Sequence, residues 1–367
     1  MIQEEVLHRP VDRVLLFQDG QISYDGPADE LLKTTLLHEA GIREPLYVTA
    51  MKYAGVSLEQ TKFLANVEKV SAPHLGKHME NWALSAAYSQ ETLPAETLLD
   101  IENLSYRYTR QSPNVLTDVS TTFKKGEMIS IVGQNGAGKS TLAKAICGFL
   151  LPKDGKMTWR GTDFTKYSVK ERADKIGYVL QNPNEMISKT LIYDEVALGL
   201  ELRGISKDII RERVEEILKV CGLYPFREWP ISALSYGQKK RVTIAAILAL
   251  DPEMIILDEP TAGQDFKHYT EFLSLLETLK KQGVTIVMIT HDMHLMLEYS
   301  TRVLVFSKGQ IVADTSPVYV LTNTELTAKA SLKETSLFTF AKRLGVENPY
   351  VFPEHFIAYD REVRGNG

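Results

Sequence analysis

A glycine-rich segment between a predicted strand and a predicted helix constrains this chain more than any other feature. Residues 133–141 read Gly-Gln-Asn-Gly-Ala-Gly-Lys-Ser-Thr, which fits the pattern G-x-x-x-x-G-K-[ST]. The residues before it predict a buried strand over 128–132, and those after it predict a helix over 142–150. A glycine turn placed there directs backbone N–H groups and the positive end of the helix dipole toward one point. The segment therefore predicts a site for a nucleoside triphosphate.

Two side chains of this loop have distinct predicted roles, and its backbone is expected to hold the phosphates. The Lys139 ammonium would reach the β- and γ-phosphates, and the Ser140 hydroxyl would be a ligand of Mg²⁺. The loop residues assigned to the nucleotide are Gly133, Gln134, Asn135, Gly136, Ala137, Gly138, Lys139, Ser140 and Thr141.

Composition excludes several classes of function. The 367 residues carry a net charge of −5 without a long basic tract, so no nucleic-acid partner is predicted. The two cysteines, Cys147 and Cys221, lack metal-ligand spacing, and we interpret them as reduced packing residues of a cytosolic protein. No apolar run reaches the roughly 20 residues that span a bilayer, and no signal-peptide pattern is present. A membrane role would therefore be peripheral.

Two segments of the chain resemble each other closely. Residues 12–22 match residues 301–311 at seven of eleven positions, with an offset of 289 (302 − 13). After one inserted residue the match continues at an offset of 290, as far as Gly55-Val56 and Gly345-Val346. A β-hairpin common to unrelated proteins would not keep this register over more than forty residues, so we infer a duplication.

The duplication predicts a domain organisation. A phosphate-binding loop of the first copy would fall at 133 − 289 = −156, before the chain begins. Residues 1–58 are therefore expected to be the C-terminal remnant of a first ATPase repeat, in a chain that is a fragment or has a truncated gene start. Residues 59–96, with a helical-looking stretch over 58–70, are expected to be a linker. The second copy would follow this linker, and residues 321–367 would be a tail that repeats residues 31–58.

A further apolar run ends in two carboxylates, Asp258 and Glu259. Because side chains alternate along a strand, these two are expected to point in different directions. Asp258 can then hold Mg²⁺, and Glu259 can polarise a water for in-line attack on the γ-phosphate. Helix capping is the other interpretation, but a position about 120 residues after a phosphate-binding loop favours a metal ligand and a base.

Three single residues are weaker candidates. Tyr108, at the end of a strand predicted over 98–108, can stack on a nucleobase or be an ordinary strand residue. Gln181, after a short predicted strand, can meet Mg²⁺ and the attacking water or be a surface glutamine. His291, at the end of another buried strand, can contact the γ-phosphate or be structural.

Two helical features complete the pattern. Residues 194–223 look helical and carry a core-facing stripe, which predicts a small helical subdomain. Ser235 is a plausible N-cap of a helix that runs to Leu250, and the N-terminus of that helix suits an anion. The residues of the stripe are Ile210, Val214, Ile217, Leu218 and Cys221.

The order of these features resembles the ATP-binding subunit of ABC transporters over residues 97–320. That resemblance implies an α/β P-loop NTPase fold, with a RecA-like core, an antiparallel β-subdomain and a helical subdomain at about 183–233. It also implies ATP and Mg²⁺ as ligands. The implied roles are adenine stacking for Tyr108, coupling and metal ligation for Gln181, metal ligation for Asp258, general base for Glu259, D-loop residue for Asp265 and switch histidine for His291.

The signature segment carries a further implication of the resemblance. Residues 234–238 would complete the ATP site of a second ABC ATPase domain, supplied by the first repeat or another chain. The residues that face the partner's nucleotide would be Ser235, Tyr236, Gly237 and Gln238. Tyr236 replaces the first glycine of Leu-Ser-Gly-Gly-Gln, and residues 261–265 replace the usual Ser-Ala-Leu-Asp.

With the duplication, these departures resemble the energy-coupling-factor importers of vitamins and transition metals, and most of all the thiamine or hydroxymethylpyrimidine importer ATPase. That type implies a transmembrane energy-coupling subunit, a substrate-binding membrane subunit and a peripheral location on the cytoplasmic face of the cell membrane. The alternative is a soluble tandem ABC ATPase that acts on ribosomes, which would favour a long charged linker and a basic surface. The transported solute would be set by a different subunit.

Overall fold

The computed structural model describes residues 13–18, 20–84, 96–261, 266–330, 332, 335–346 and 349–365, and its elements fall into three groups along the chain. The N-terminal group consists of β1 (Val14–Gln18), β2 (Gln21–Gly26), α1 (Ala28–Leu32), α2 (Leu36–Glu39), α3 (Leu46–Tyr53) and α4 (Leu75–Leu84).

The central group contains the glycine-rich segment and most of the strands. Its first part consists of β3 (Thr97–Tyr106), β4 (Leu116–Lys124), β5 (Met128–Gly133), α5 (Lys139–Ile146), β6 (Asp154–Trp159), β7 (Thr162–Asp163), α6 (Val169–Ala173), β8 (Ile176–Val179), α7 (Ile192–Leu202) and α8 (Lys207–Val220). Its second part consists of α9 (Tyr236–Leu248), β9 (Met254–Asp258), α10 (Phe266–Lys281), β10 (Thr285–Ile289), α11 (Met293–Tyr299), β11 (Arg302–Ser307) and β12 (Gln310–Thr315). The C-terminal group consists of α12 (Pro317–Thr322), α13 (Thr324–Ala330), α14 (Ser336–Arg343) and α15 (Val351–Gly365).

A six-stranded sheet forms the centre of the fold, in the order β12-β11-β5-β10-β9-β8. All its neighbouring strands are parallel except β12, which pairs antiparallel with β11 at one edge. Every residue of β5, β9 and β10 is buried, as is typical of parallel strands with both faces covered. The pairing of Ile289 with Asp258 and of Phe306 with Gly133 brings the carboxyl ends of four strands to one edge.

A second, antiparallel sheet has the order β4-β3-β6-β7 and lies before and after the glycine-rich segment in sequence. The strand that was predicted over 98–108 ends at Tyr106, so Tyr108 lies in the turn region beyond it. The two sheets and the helices between β8 and β9 confirm the predicted fold class.

The helical region consists of two helices rather than one. Gly204 has φ +71°, a left-handed conformation that glycine adopts without steric cost, and it separates α7 from α8. The predicted stripe of α8 faces the core, because Ile210, Val214, Leu218 and Cys221 are buried. Cys147 is also buried, and burial raises the pKa of both thiols to about 12.

The N-terminal and C-terminal groups pack into one helical unit. Helix α3 packs against α14, where the rings of Tyr47 and Phe340 lie 5.6 Å apart, and α4 packs against α15. The Arg43 guanidinium also forms a buried ion pair with Glu298 of α11. The unit thus joins residues 13–18 and 20–84 to the central group.

Residues 59–84, which belong to the predicted linker, contribute to this unit. Their buried side chains include Leu64, Val70 and Met79, and they join the same apolar cluster as α3 and α14. The helix predicted over 58–70 is wrong: only residues 58–60 form a short 3-10 turn, and Lys62 pairs with Ser71 in an isolated bridge. Phe63 has φ +55°, which interrupts a right-handed helix at that point. Among the described residues, no helix is both long and apolar enough to cross a membrane.

Candidate functional site

The glycine-rich segment forms the predicted turn between β5 and α5. Gln134, Asn135 and Gly136 are exposed at its tip, whereas Ala137, Gly138 and Lys139 are buried and Ser140 is half-buried. Helix α5 begins at Lys139, so the free N–H groups of its first turn open toward the tip of the loop.

Two glycines of the turn are required by close approach as well as by conformation. Gly133 has φ +143°, and a Cβ there would lie 2.1 Å from the carbonyl oxygen of Phe306. Gly138 has φ +108°, and a Cβ would lie 2.8 Å from the carbonyl oxygen of Val115. The loop is therefore held against β11 and against the turn before β4, which fixes the path of its backbone.

The Lys139 side chain folds back onto the first residues of the glycine-rich loop. Its Nζ donates to the carbonyl oxygens of Gly133 at 2.7 Å and of Gln134 at 3.0 Å. Burial lowers the pKa of Lys139, while the nearby carboxylates of Glu259 and Asp258 oppose that shift. The ammonium group thus lies between the loop and the end of β9, where a polyphosphate bound in the loop would meet both.

The two carboxylates that follow the apolar run separate as predicted. Asp258 is the last residue of β9, and its Oδ2 accepts a hydrogen bond from the Tyr178 hydroxyl at 3.1 Å. Glu259 lies beyond the strand with φ +46°, a left-handed conformation that few non-glycine residues adopt. Its backbone N–H donates to the carbonyl oxygen of Ile289 at 2.9 Å. The two side chains thus have different partners, Tyr178 on β8 for Asp258 and His291 after β10 for Glu259.

The environment of Glu259 changes its acidity. Burial raises the pKa of this carboxyl to about 7, and the charge of Asp258 acts in the same direction. The N–H of His291 and the charges of Lys139 and Lys240 oppose the shift. A carboxyl group with a pKa close to the ambient pH has the acidity expected of a general base.

His291 lies beside this carboxyl, at the end of the neighbouring strand β10. Its Nε2 is 3.4 Å from Oε1 of Glu259, and its backbone N–H donates to Oε2 at 3.4 Å. Burial lowers the pKa of His291, and the charge of Lys139 acts in the same direction. Asp292 follows as the N-cap of α11, accepting from the backbone N–H groups of His294 and Leu295.

Tyr108 and Gln181 flank the loop and the carboxylates. Tyr108 is 59% exposed, and its hydroxyl lies 3.5 Å from Oγ1 of Thr141 in the first turn of α5. Its ring meets that of Tyr106 edge-on at 5.2 Å. Gln181 is exposed two residues beyond β8, and its backbone carbonyl accepts a hydrogen bond from the Tyr236 hydroxyl at 3.0 Å.

The segment 234–238 begins α9 as the sequence predicts. Ser235 is the N-cap, and its hydroxyl accepts from the N–H of Gln238 at 3.3 Å. The side-chain oxygen of Gln238 accepts in return from the N–H of Ser235 at 3.0 Å, which completes a capping box. Tyr236 and Gly237 are the first two helical residues. Asp265, the remaining predicted site residue, lies outside the described residues.

Two residues at the site were not found by sequence reasoning. Tyr178 lies in a buried strand and belongs to no sequence motif, so a role for its hydroxyl could not be predicted. Lys240 is fully buried in α9, and its Nζ donates to the backbone carbonyl of Glu259. The sequence did carry a signal for Lys240, because the helix periodicity places this lysine in the core. Buried lysines are almost always paired, so such a position indicates a specific partner.

A glycine-rich turn, a lysine, two carboxylates and an imidazole converge at the carboxyl edge of one parallel sheet. Ligands of open α/β sheets bind at this edge. The arrangement supplies anion-binding N–H groups, oxygen ligands for a hard cation, and a carboxyl group whose acidity suits proton transfer.

Two family descriptions match the chain. The family described as "ABC transporter" matches residues 116–262, and the family described as "ATP-binding cassette cobalt transporter" matches residues 34–106. The first match spans the glycine-rich loop and both carboxylates, and the second spans α2 to α4 and reaches the end of β3.

Curated relatives match almost the whole chain. A putative ABC transporter ATP-binding protein of Enterococcus faecalis is 60% identical over 361 residues, which cover 98% of this chain and 63% of that protein. A putative ABC transporter ATP-binding protein of Clostridium perfringens is 49% identical over 361 residues, with the same coverage of 98% and 63%. The chain therefore spans about 63% of the length of these curated relatives.

Solved structures match the central group. The structure of cbiO1 from Clostridium perfringens, described as part of the ABC transporter complex cbiONQ, is 34% identical with a TM-score of 0.58. The match covers 64% of this chain and 94% of cbiO1. The ATP-binding cassette MJ0796, as a dimer in a post-hydrolysis state with ADP and Pi, is 29% identical with a TM-score of 0.55. That match covers 60% of this chain and 99% of MJ0796.

Proposed function

This chain belongs to the ATP-binding proteins of ABC transporters, and on that basis we propose that residues 97–320 bind ATP and hydrolyse it to power transport. The observation that carries the proposal is the position of Glu259. Its carboxyl group lies beside His291 and near the Lys139 ammonium, and burial brings its pKa to about 7. A protein that only bound nucleotide would have no use for a buried base at this place.

The proposed reaction is in-line hydrolysis at the γ-phosphate. The loop 133–141 holds the phosphates, Lys139 balances the charge of the β- and γ-phosphates, and Tyr108 stacks on the adenine. Glu259 accepts a proton from the attacking water while the water oxygen bonds to the γ-phosphorus and the bond to the bridging oxygen of ADP breaks. The His291 imidazole donates a hydrogen bond to the γ-phosphate. Because it lies beside Glu259, it also holds the γ-phosphate at a fixed position relative to the base.

The donor set fits Mg²⁺. The Ser140 hydroxyl, the Asp258 carboxylate and the Gln181 side-chain carbonyl supply oxygen atoms, which are the ligands that this hard cation prefers. Asp258 is already oriented by the Tyr178 hydroxyl at 3.1 Å. When bound, the ion would neutralise charge on the β- and γ-phosphates.

We propose that the site is completed by a second ATPase domain. At the surface-exposed N-terminus of α9, Ser235 and Gln238 use their backbone N–H groups in the capping box. Tyr236 and Gly237 present the N–H groups of the open first turn to an anion. We assign these four residues to the nucleotide of the partner domain, and Asp265 to the D-loop of the nucleotide site. The dimeric form of MJ0796 supports this pairing by similarity.

The N-terminal hairpin supports a tandem origin for that partner. Arg13 pairs with Asp25 across β1 and β2, as Arg302 pairs with Asp314 across β11 and β12. Both hairpins shift register at equivalent positions, between residues 16 and 17 and between residues 305 and 306. We propose that residues 13–58 derive from the C-terminal part of a first repeat.

The solvent exposure of equivalent side chains in the hairpins β1-β2 and β11-β12 agrees with this proposal. Leu15 and Phe17 are 44% and 63% exposed, whereas their equivalents Leu304 and Phe306 are fully buried because β11 lies beside β5. A first-repeat core placed against β1, as the central sheet is placed against β11, would cover both side chains.

We further propose that the transporter is an importer of the energy-coupling-factor type, for a vitamin, a vitamin precursor or a metal ion. The match of residues 34–106 to the cobalt-transporter family and the similarity to cbiO1 support this class. The partners would be a transmembrane energy-coupling subunit and a substrate-binding membrane subunit, with this chain on the cytoplasmic face. A pull-down from solubilised membranes, followed by mass spectrometry of companions and bound solute, tests the class.

The composite site is tested by a dilution series. Specific ATPase activity of the full chain should rise with protein concentration if two copies pair, and should rise further when a first-repeat ATPase domain is added. Glu259→Gln is the control for a contaminating ATPase. High specific activity that stays flat over a hundredfold dilution, with a monomer in light scattering, would contradict the proposal.

A further inference from the structure

Helix α9 touches the chain's own ATP site at two points. At its first residue, the Tyr236 hydroxyl donates to the backbone carbonyl of Gln181 at 3.0 Å. One turn later, the Lys240 Nζ donates to the backbone carbonyl of Glu259. Residues four apart lie on the same face of a helix, so one face of α9 contacts both the segment after β8 and the segment after β9.

Lys240 is an unusual residue for the core. Its side chain is fully buried, and burial lowers the pKa of its ammonium group to about 8, against the charges of Glu259 and Asp258. A buried charge is unfavourable unless it is paired or hydrogen-bonded. An apolar side chain of similar length would avoid that cost, so packing alone does not account for a lysine at this position.

The contact also acts on a strained residue. Glu259 has φ +46°, and such conformations persist in non-glycine residues only when the surroundings hold them. Its N–H is held by the carbonyl of Ile289, and its carbonyl is held by Lys240. The two bonds fix the peptide groups on both sides of the Glu259 Cα, and therefore the direction in which its carboxyl group points.

The same helix faces outward at its N-terminus. Ser235 and Gln238 cap it, and the proposed function assigns this end to the nucleotide of the partner domain. The hydrogen-bonded turn between Tyr236 and Lys240 is a rigid element. A shift of the helix end toward or away from the partner's nucleotide is therefore transmitted to Lys240 and to the Tyr236 hydroxyl.

We propose that α9 links the two composite ATP sites: Lys240 is the positioning residue for the Glu259 base, and the Tyr236 hydroxyl ties the signature segment to the Gln181 segment of the same chain. The proposal rests on the proposed function, because it requires ATP hydrolysis at paired sites. Nucleotide seated on the N-terminus of α9 in one site then sets the orientation of the base in the other.

The first test compares Lys240→Met with Lys240→Gln in the full chain, at a concentration where wild-type activity is maximal. The methionine has a similar length but cannot donate to the Glu259 carbonyl, whereas the glutamine amide can. We expect Lys240→Met to lower kcat at least tenfold, with ATP affinity within threefold of wild type. We expect Lys240→Gln to recover part of that loss.

A thermal melt of the same variants separates positioning from folding. Lys240→Met removes a buried charge but also leaves the Glu259 carbonyl without its donor, and because these two effects oppose each other its Tm should stay close to that of the wild type. Lys239→Met is the matched control, because it makes the same change one residue earlier, on a side chain that reaches toward Asn184. Its kcat should stay within twofold of wild type. Wild-type kcat in Lys240→Met, or equal losses of kcat and Tm in both Lys240 variants, would overturn the proposal.

The second test addresses the link between sites. Tyr236→Phe removes only the hydroxyl that donates to the Gln181 carbonyl and keeps the backbone N–H groups of the helix end, so the Hill coefficient for ATP hydrolysis should fall toward one. An unchanged Hill coefficient would overturn the link. If the wild-type chain does not hydrolyse ATP, or if Glu259→Gln hydrolyses it equally fast, the proposed function itself fails. If the wild type is active and these variants behave as it does, only this inference fails.

Discussion

The imidazole Nε2 of His291 lies 3.4 Å from Oε1 of Glu259, across the carboxyl ends of two adjacent parallel strands. The backbone N–H of the same histidine points to the other carboxylate oxygen, also at 3.4 Å. Burial lowers the pKa of His291 and raises that of Glu259, so the pair tends toward two neutral groups. Glu259 therefore changes its charge close to neutral pH, in direct contact with its neighbour.

The first prediction is a pH dependence of kcat/KM. Only the ionised carboxylate can accept a proton from water, and its pKa in the free protein is about 7. Activity should therefore fall as the pH falls through about 7, approaching a tenfold loss per pH unit below it. The measurement is steady-state ATPase between pH 5.5 and 9, with the chain shown to remain folded. An acid limb with its midpoint near 4.5, the ordinary value for glutamate, would remove Glu259 as the base.

The second prediction concerns Glu259→Gln. The amide keeps the size and the polar contacts of the side chain but cannot take a proton. ATP binding should persist, and turnover should fall roughly 10²–10⁴-fold. Trapping of a nucleotide-bound dimer, seen in size-exclusion chromatography with ATP, should accompany the loss. Hydrolysis near the wild-type rate would place the base elsewhere.

The third prediction is a pH-dependent gain in stability for the same variant. The folded state binds the Glu259 proton more tightly than the unfolded state, so wild-type stability falls as the pH rises from 4.5 toward 7. Glutamine removes that penalty. Between pH 5 and pH 8, the variant should gain on the order of 2–3 kcal/mol relative to the wild type in chemical denaturation. A stability difference that is the same at both pH values would contradict the raised pKa.

The fourth prediction is that Lys139→Ala abolishes tight MgATP binding. The change removes the ammonium group that lies between the loop carbonyls and the carboxylates of the site. Equilibrium binding of a fluorescent ATP analogue checks it. Affinity within about threefold of wild type would reject the assignment of residues 133–141 to the phosphates.

The fifth prediction is that Tyr108→Ala weakens binding of adenine and guanine nucleotides to a similar degree. Stacking uses the face of the ring rather than base-specific hydrogen bonds and contributes about 1–3 kcal/mol. Tyr106→Ala is the matched control, because it removes a neighbouring tyrosine ring. Tyr106 is the last residue of β3, and its ring centroid lies 5.2 Å from that of Tyr108. If only the Tyr106 change weakens binding, the stacking role moves to that residue.

The central sheet could be predicted because its strands are short, apolar and bounded by turn residues. Met254–Asp258 and Thr285–Ile289 are continuous apolar runs, and both are fully buried parallel strands. The convergence of Lys139, Asp258, Glu259 and His291 follows from the same logic, since parallel strands end at one edge. Their chemical roles remain proposals.

Other features depended on contacts that local sequence does not encode. The burial of Lys240 follows from how α9 packs on the segment after β9, and the hydroxyl of Tyr178 meets Asp258 only across neighbouring strands. The left-handed conformation of Glu259 is imposed by partners at residues 289 and 240. The helix predicted over 58–70 does not form, because Phe63 has a left-handed conformation and Lys62 pairs with Ser71, and a local sequence pattern encodes neither.

The pairing of α3 with α14 has a consequence for the nascent chain. Helices α3 and α4 end by Leu84, whereas their C-terminal partners, α14 and α15, begin only at Ser336 and Val351. At 5–20 residues per second, a ribosome needs about 13–50 s to make the segment between them. During that interval the apolar faces of α3 and α4, which bury Tyr47, Met51 and Met79 in the finished protein, have no C-terminal partner to cover them. A chain that stops before Ser336 would keep these apolar side chains exposed, so the interval before α14 is made is the stage of synthesis most open to aggregation.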